Sequence, residues 1–284
     1  MVIAVIGTGI IGTKIAERLL NNHYTVYVYN RTIEKMNELK LKGAAAGTNV
    51  NSIISKADCL ILTLSDKKTI DEVLCQNQFN FKNKIILQMG TISPEESIDL
   101  HKFISAAGGK YLECPILGSR KEIEQTNLII MVGGLKSLYN NLQPFLSQFG
   151  PDHYYIGKVG QAAALKLALN HLIASHVAGF SLSLGIVEKN RIDPKIFMGI
   201  LNKSSLFAPM FEKKLKNWTV RNYSDPNFST KHLLKDVRLI AEHAESIGLN
   251  TMVVKAIESL IRESVDQGLA DLDYSSIFNT INRI

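Results

Sequence analysis

The sequence predicts an α/β fold: a doubly wound sheet, followed by an all-α C-terminal domain that a long interdomain helix joins to it. Three observations predict this. Short apolar runs alternate with amphipathic stretches over roughly residues 1–158, the order of a mostly parallel sheet with helices on both faces. A glycine-rich turn, Gly7-Thr8-Gly9-Ile10-Ile11-Gly12, follows the first apolar run at once. From Gly160 onward strand signals stop and only helical periodicity continues. The expected domains are 1–158 and 159–284.

Val2–Ile6 is wholly apolar and β-branched in character, as a strand buried on both faces must be. After the glycine turn, Ile11, Ile15, Leu19 and Leu20 fall on one helical face, with Lys14, Glu17 and Arg18 on the other. Tyr24–Tyr29 reads as a second strand. Strand, glycine turn, helix and strand together make the GxGxxG match specific and point to a Rossmann-type dinucleotide site. Gly7 permits the tight turn, Gly9 lets a pyrophosphate approach the backbone, and Gly12 lets the helix pack on the strand. The helix N-terminus then offers N–H groups and a positive dipole end to the phosphates.

The end of the second strand selects the cofactor. An NAD site wants an acidic side chain there for the ribose 2′-hydroxyl. This chain has Asn30-Arg31-Thr32 and no carboxylate until Glu34. Arg31 can hold a 2′-phosphate through its planar fork, and Thr32 can add a hydroxyl. The expectation is NADP(H) in preference to NAD(H).

Further along, Ile33–Leu41 reads as a helix and Gly43–Gly47 as a loop or short strand. Asn49–Lys56 is a helix capped by Asn49 or Asn51. Asp58–Leu64 is a strand with Ser65 just beyond it, and Lys67–Cys75 is helical. Lys84–Met89 is a strand leading to Thr91, and Ser93 caps a helix that begins at Pro94. Lys110–Glu113 and Leu128–Val132 are strands, Leu135–Phe149 a helix and Tyr154–Ile156 a last strand. Ligands of such sheets bind outside the carboxyl ends of the strands. Ser65, Thr91 and the Pro115–Ser119 loop are therefore candidates to line the site. Beyond Gly160, helices are expected over Gln161–Lys189, from Asp193-Pro194, and over Pro209–Trp218, Thr230–Ser246, Thr251–Asp266 and Asp273–Ile281.

With 284 residues, 46% hydrophobic and 20% charged, the chain is long enough for two cores and has the balance of a soluble globular protein. The net charge of +6 is scattered, without the basic block of a nucleic-acid footprint. Cys59, Cys75 and Cys114 are odd in number and far apart, so neither a disulfide framework nor a metal site is expected. A reducing cytoplasm is the simplest compartment, and the apolar start lacks the basic region of a signal peptide. Leu167–Val187 has no Asp, Glu, Lys or Arg, but polar residues are spread around its faces. It is expected to be a helix buried in a soluble protein, not a membrane span.

Lys166 and Asn170, at i and i+4, share one face of that long helix. Periodicity alone leaves Lys166 as a lysine whose ammonium reaches water, and Lys235-Asp236 as an exposed charged turn.

Four stretches in order give these residues a different weight. They are Gly7–Gly12 with its flanking elements, Glu113-Cys-Pro-Ile-Leu-Gly-Ser119, Gly160-Gln-Ala-Ala-Ala-Leu-Lys166 with Asn170, and Lys235-Asp236-Val-Arg-Leu239. With them the whole chain resembles the β-hydroxyacid dehydrogenase family: 3-hydroxyisobutyrate dehydrogenases, tartronate semialdehyde reductases and glyoxylate/succinic semialdehyde reductases. The resemblance implies a catalytic role for Lys166, as general acid in reduction and base in oxidation. It implies a substrate-positioning role for Asn170. Leu117, Gly118 and Ser119 would form the loop that receives a substrate carboxylate on backbone N–H groups, with Lys235 and Asp236 near substrate and nicotinamide. The implied cofactor-binding set is Gly7, Thr8, Gly9, Ile10, Ile11, Gly12, Asn30, Arg31, Thr32, Leu64, Ser65, Thr91 and Lys235. Substrates would be a small aldehyde and its hydroxyacid, without nucleic acid or membrane, and the assembly a homodimer or homotetramer.

One departure stands out. Many members of that family carry serine where this chain has Leu117, which removes a hydroxyl donor; Ser119 restores one two residues later. Two alternatives follow from the resemblance. Imine reductases share the architecture but commonly place aspartate or tyrosine where Lys166 stands. A non-catalytic NADP-binding module would have no need to keep Lys166, Asn170 and Lys235 together. The helical domain is too short for the extension usual in 6-phosphogluconate dehydrogenases.

Overall fold

The structure is a computed structural model that describes residues 1–74 and 79–283. Cys75, the expected last residue of a helix, lies outside the described residues. The chain divides into two compact units, Met1–Leu167 and Ala168–Ile284.

In the first unit the elements follow as β1 (Val2–Ile6), α1 (Ile10–Asn21), β2 (Thr25–Tyr29), α2 (Asn37–Leu41), β3 (Ala45–Ala46), α3 (Val50–Lys56), β4 (Cys59–Leu62) and α4 (Lys67–Leu74). Then come β5 (Ile85–Gln88), α5 (Pro94–Ala106), β6 (Lys110–Glu113), β7 (Ile116–Leu117), α6 (Arg120–Glu124), β8 (Ile129–Gly134), α7 (Lys136–Leu146) and β9 (His153–Gly157). The strand order is β3-β2-β1-β4-β5-β6-β8-β7, with β9 also paired to β8. Strands β1 to β6 pair in parallel, and β8 runs antiparallel to both β6 and β7. The order reverses at β1, whose neighbours are β2 and β4. The glycine turn leaves β1 at this switch point, where such sheets open a crevice.

Both faces of the sheet are covered. Ile3, Val5, Cys59 and Ile61 pack with Ile15 and Leu19 of α1 and with Leu142 and Phe145 of α7. The alternate residues Ala4, Ile6, Leu60 and Leu62 pack with Ile53 and Ile54 of α3, Ile70 of α4 and Leu100 and Ile104 of α5. Two cores from one strand explain why these runs are apolar without alternation. Each fully buried Leu or Ile contributes about 1.5–3 kcal/mol.

Local signals account for the starts of α3 and α5. Asn49, not Asn51, caps α3, its Oδ1 accepting from Asn51 N at 2.9 Å and Ser52 N at 3.2 Å. Ser93 and Glu96 form a reciprocal capping box at the start of α5. Other expectations need correction. The helix expected over Ile33–Leu41 is a 3-10 turn, Ile33–Met36, running into α2; Met36 and Leu39, three residues apart, both turn into the core. The helix expected to reach Phe149 ends at Leu146, where Phe149 N–H turns back to the Leu146 carbonyl at 3.0 Å. The Pro115–Ser119 loop contains β7, whose two residues are too few to show a period.

The second unit is helical apart from one isolated bridge between Ser229 and Asp273 among the described residues. Its elements are α8 (Gln161–Lys189), which begins in the first unit, α9 (Pro194–Leu201), α10 (Pro209–Val220), α11 (Thr230–Ser246), α12 (Met252–Ser264) and α13 (Ile277–Ile281). The helix expected to run to Asp266 stops at Ser264 and passes into a wide turn, Val265–Leu269, where Gly268 takes φ 85°. The expected Asp273–Ile281 helix is a 3-10 turn, Tyr274–Ser276, and then α13. Asp273 is fully buried, held by Lys214 Nζ at 2.6 Å, and its Oδ1 accepts from Ser275 N at 3.1 Å.

The long helix, expected to be buried, is covered only in part. Val177, Phe180 and Leu184 of α8 are buried, while Leu172, Leu182 and Ile186 are exposed. A helix apolar on nearly every face carries no periodic sign of which face its own unit covers.

Candidate active site

The glycine turn is built by close approach. Gly7 takes φ +101°, and a Cβ on Gly12 would run into the Gly7 carbonyl oxygen. That carbonyl is held by Thr63 Oγ1 at 2.6 Å from the end of β4. A Cβ on Gly9 would meet open space. Gly9 is the residue before α1, and neither a side-chain cap nor an acidic residue in the first turn occupies the helix N-terminus. Thr8 is 3% exposed and its Oγ1 has no partner. Open space, uncapped N–H groups and an orphaned hydroxyl suit an anionic pyrophosphate, so the residues fit a dinucleotide.

At the end of β2, Asn30 Oδ1 accepts from Thr32 N at 2.9 Å, which turns the chain and presents Arg31. Arg31 is well exposed and stands 3.5 Å from Glu72 Oε2. An exposed pair of this kind contributes little and leaves the guanidinium available. Leu64 lies beside both Gly7 and Gly90, so the turns after β1, β4 and β5 meet. Ser65, next in the chain, donates to Asp66 Oδ2 at 2.8 Å.

A small cavity beyond the carboxyl ends of β5 and β6 is lined by Gln88, Gly90, Thr91, Ile92, Ser97, Glu113, Pro115, Ala163 and Lys166. Lys166 is 9% exposed, which goes against the reading from periodicity alone. Gln88 is buried; its Nε2 donates to Gly90 O at 3.1 Å, and its Oε1 has no partner. Glu113 is 1% exposed and accepts from Gly160 N at 2.5 Å and Ala162 N at 3.1 Å. The Ser97 hydroxyl also donates to it. Ser97 Oγ and Tyr111 OH are 2.7 Å apart. Since the single Ser97 proton goes to Glu113, Tyr111 is the donor in that second bond.

Burial pushes the Glu113 carboxyl above the ordinary carboxylate value, against the opposing pull of Ser97 and the helix N–H groups. A raised carboxyl means that the folded chain holds a proton the unfolded chain has already released. This contribution to stability is full below the unfolded value and is lost as pH rises through the folded one. Glu113→Gln removes it. We therefore expect the melting temperature of wild type, relative to that of the glutamine variant, to fall as pH rises from 4 towards neutrality. Melting curves of both across that range check this; a constant difference contradicts it.

In the second unit α8 meets α11 through polar groups. Asn170 Nδ2 donates to Asp236 Oδ2 at 2.6 Å, and both residues are 2% exposed. Lys235 Nζ lies 2.6 Å from Asp236 Oδ1. An ionised carboxylate only accepts, so Asp236 fixes the flip of the Asn170 amide, and Asn170 Oδ1 is left as a buried acceptor with no partner. Lys235-Asp236 is thus no exposed charged turn: Asp236 is buried, and Lys235 is about a quarter exposed. Asn170 stands one turn after Lys166 on α8.

The loop expected to receive a carboxylate is partly engaged. Leu117 belongs to β7 and pairs with Ile129. Gly118 takes φ +129°, and a Cβ there would press on Leu128 and Glu122. The Ser119 N–H donates to Glu122 Oε2 at 2.8 Å. A substrate carboxylate can use that N–H only after Glu122 turns away. Cys59 and Cys114 are free and buried, and burial pushes the Cys59 thiol up to about 12 and Cys114 well above its usual range. Neither is a ready nucleophile.

Sequence reasoning overlooked Thr63, Gln88 and Ser97, and it quoted Glu113 only within a motif. A buried strand ending in Gln or Glu, as β5 and β6 do, was the available signal, because such groups stay buried only with partners.

Comparison with known proteins agrees with a dinucleotide-binding fold. Residues 2–157 match the NAD binding domain of 6-phosphogluconate dehydrogenase, and residues 160–281 match the NAD-binding domain of NADP-dependent 3-hydroxyisobutyrate dehydrogenase. The chain belongs to the β-hydroxyacid dehydrogenase family. Within this family of oxidoreductases, it is 30% identical to glyoxylate/succinic semialdehyde reductase 2, chloroplastic, of Arabidopsis thaliana, over 98% of this chain and 79% of that protein. It is 29% identical to glyoxylate/succinic semialdehyde reductase 1 of the same plant, over 99% and 98%. Its fold is that of the 3-hydroxyisobutyrate dehydrogenase of Salmonella typhimurium, with TM-score 0.88 at 17% identity, covering 98% of this chain and 99% of that one.

Proposed function

We propose that this β-hydroxyacid dehydrogenase uses NADPH to reduce a small carboxylate-bearing aldehyde, of the glyoxylate or succinic semialdehyde type, to its hydroxyacid, or runs the reverse reaction with NADP+. The observation that carries the reading is Lys166, nearly buried, in one cavity with Gly90, Thr91 and Pro115 beyond the carboxyl ends of β5 and β6. The names of the two plant relatives support the substrate class.

The cradle from Gly7 to Gly12 would hold the pyrophosphate, with Thr8 Oγ1 as an added donor. Asn30, Arg31 and Thr32 would hold the 2′-phosphate, since none of the three residues at the end of β2 is acidic. Leu64, Ser65 and Thr91 would line the remaining length of the cofactor. The bound reduced nicotinamide supplies the hydride to the carbonyl carbon. As negative charge grows on the carbonyl oxygen, the Lys166 ammonium stabilises it and delivers the proton, leaving a neutral amine and the alcohol; in oxidation the amine takes the proton back. Exclusion of water strengthens this interaction. Asn170 Oδ1 can only accept, so it suits the hydroxyl form of the substrate and not the carbonyl oxygen. By the resemblance Lys235 would serve a substrate carboxylate, its own carboxylate partner being Asp236. Exposed Leu182 and Ile186 of α8, with Ile196 and Ile200 of α9, support a homo-oligomer, which sedimentation would measure.

The Asn170 flip gives a further expected result. Asp236→Ala frees the amide and leaves Lys235 without its carboxylate. A hydrogen bond to a charged group contributes about 1.5–3 kcal/mol, so kcat/KM should fall about 10–100-fold. Steady-state kinetics check it, and an unchanged kcat/KM would remove Asp236 from the account.

Optical measurement of NADPH oxidation tests the reading as a whole, with glyoxylate, succinic semialdehyde, methylmalonate semialdehyde and tartronate semialdehyde as substrates. Turnover of at least one is expected. Tight NADPH binding with no turnover would leave a binding module in its place.

A further inference from the structure

The buried carboxylate at the end of β6 is more than a strand terminus. Glu113 accepts the N–H groups of Gly160, the residue before α8, and of Ala162 in its first turn. Any helix leaves its first N–H groups unsatisfied, and water or a serine would serve them. Here the chain uses a carboxylate with 1% exposure. Gly133 makes room for it, since a Cβ on Gly133 would run into Glu113 Oε2. The Ala163 N–H and the Ser97 hydroxyl from α5 add further bonds.

Lys166 follows Ala162 by four residues and Ala163 by three, so all three share one face of α8. A long side chain on a helix leans toward the N-terminus, over the i−3 and i−4 residues. Those residues are alanines, both buried, and they lie at the end that Glu113 holds. Ala163, Glu113 and Lys166 line the same cavity.

From this we infer that Glu113 is the positioning residue for Lys166: it ties the first turn of α8 to the end of β6 and so fixes where the lysine stem starts relative to Thr91 and Pro115. The inference rests on the reading of Lys166 given above. A displacement of even about 1 Å at a reacting centre costs on the order of a hundredfold in rate, so a modest slip of the helix start is enough to matter.

The test uses the full chain with NADPH and the aldehyde it turns over. Glu113→Gln keeps the size but loses the charge and one acceptor; Glu113→Asp keeps the charge but retracts it by one carbon. Both are expected to lower kcat about tenfold or more, with KM for the aldehyde and NADPH binding changed less than about threefold. A purely structural cap would lower the melting temperature and leave kcat per folded molecule alone. In a Lys166→Ala background, Glu113→Gln is expected to have no further effect on kcat, because the residue it positions is gone. Native kcat in the folded Gln and Asp variants, or a loss that adds in full to that of Lys166→Ala, overturns the positioning role. If the glutamine variant does not fold, the aspartate variant decides by the same criteria. Near-normal turnover of Lys166→Ala itself would overturn the acid assignment and the positioning role together; an inactive Lys166→Ala beside a native Glu113→Gln overturns the positioning role alone.

Discussion

Lys166→Ala is expected to lower kcat for aldehyde reduction at least about a hundredfold while NADPH binding stays within a few-fold of wild type. A positioned acid typically supplies about 10²–10⁴ in rate, and the variant loses all of it. Binding should survive because the glycine cradle and the Asn30-Arg31-Thr32 turn are formed by other residues. Lys166→Arg separates charge from proton transfer. Its guanidinium keeps the positive charge but does not release its proton, so it should recover little of the rate. Steady-state kinetics with a parallel NADPH titration check both variants, and near-normal turnover of the alanine variant would end the assignment.

Arg31→Ala is expected to weaken NADPH about 10–100-fold and NADH less than about twofold. A charge-assisted bidentate contact to a phosphate contributes about 1.5–3 kcal/mol, and NADH carries no 2′-phosphate to lose it. In the structure Arg31, largely exposed, rests 3.5 Å from the partly exposed Glu72. Glu72→Ala should therefore leave NADPH binding unchanged or slightly tighter. Fluorescence titration of each variant with both nucleotides measures the split. Equal losses for NADPH and NADH would take the 2′-phosphate contact out of the account.

The fold was legible where local chemistry and burial agree. Val2–Ile6 and Cys59–Leu62 are apolar at every position because cores form on both faces. Asn49, Ser93 and Asp193 cap α3, α5 and α9 through their own side chains. Legibility failed where a tertiary partner decided the outcome. The break before α13 follows from the buried pairing of Asp273 with Lys214, distant in sequence, and β7 exists only because β8 lies beside it.

The site divides in the same way. Gly7, Gly9 and Gly12 are readable because each needs the absence of a Cβ for a stated reason. Periodicity read Lys166 as a lysine reaching water and Lys235-Asp236 as an exposed charged turn, and only the resemblance gave them weight. The flip of Asn170 and the capping of α8 by Glu113 were out of reach of the sequence. Each depends on which atom faces which across elements far apart in the chain.

The central claim is that the Lys166 ammonium is the proton donor. It is tested most directly by kcat/KM for aldehyde reduction, measured against pH for wild type and for Lys166→Ala at saturating NADPH. The account predicts a wild-type rate that falls on the alkaline side as the donor loses its proton, and a low rate without that fall in the alanine variant. The same alkaline fall in both proteins would contradict it, because the proton would then come from another group.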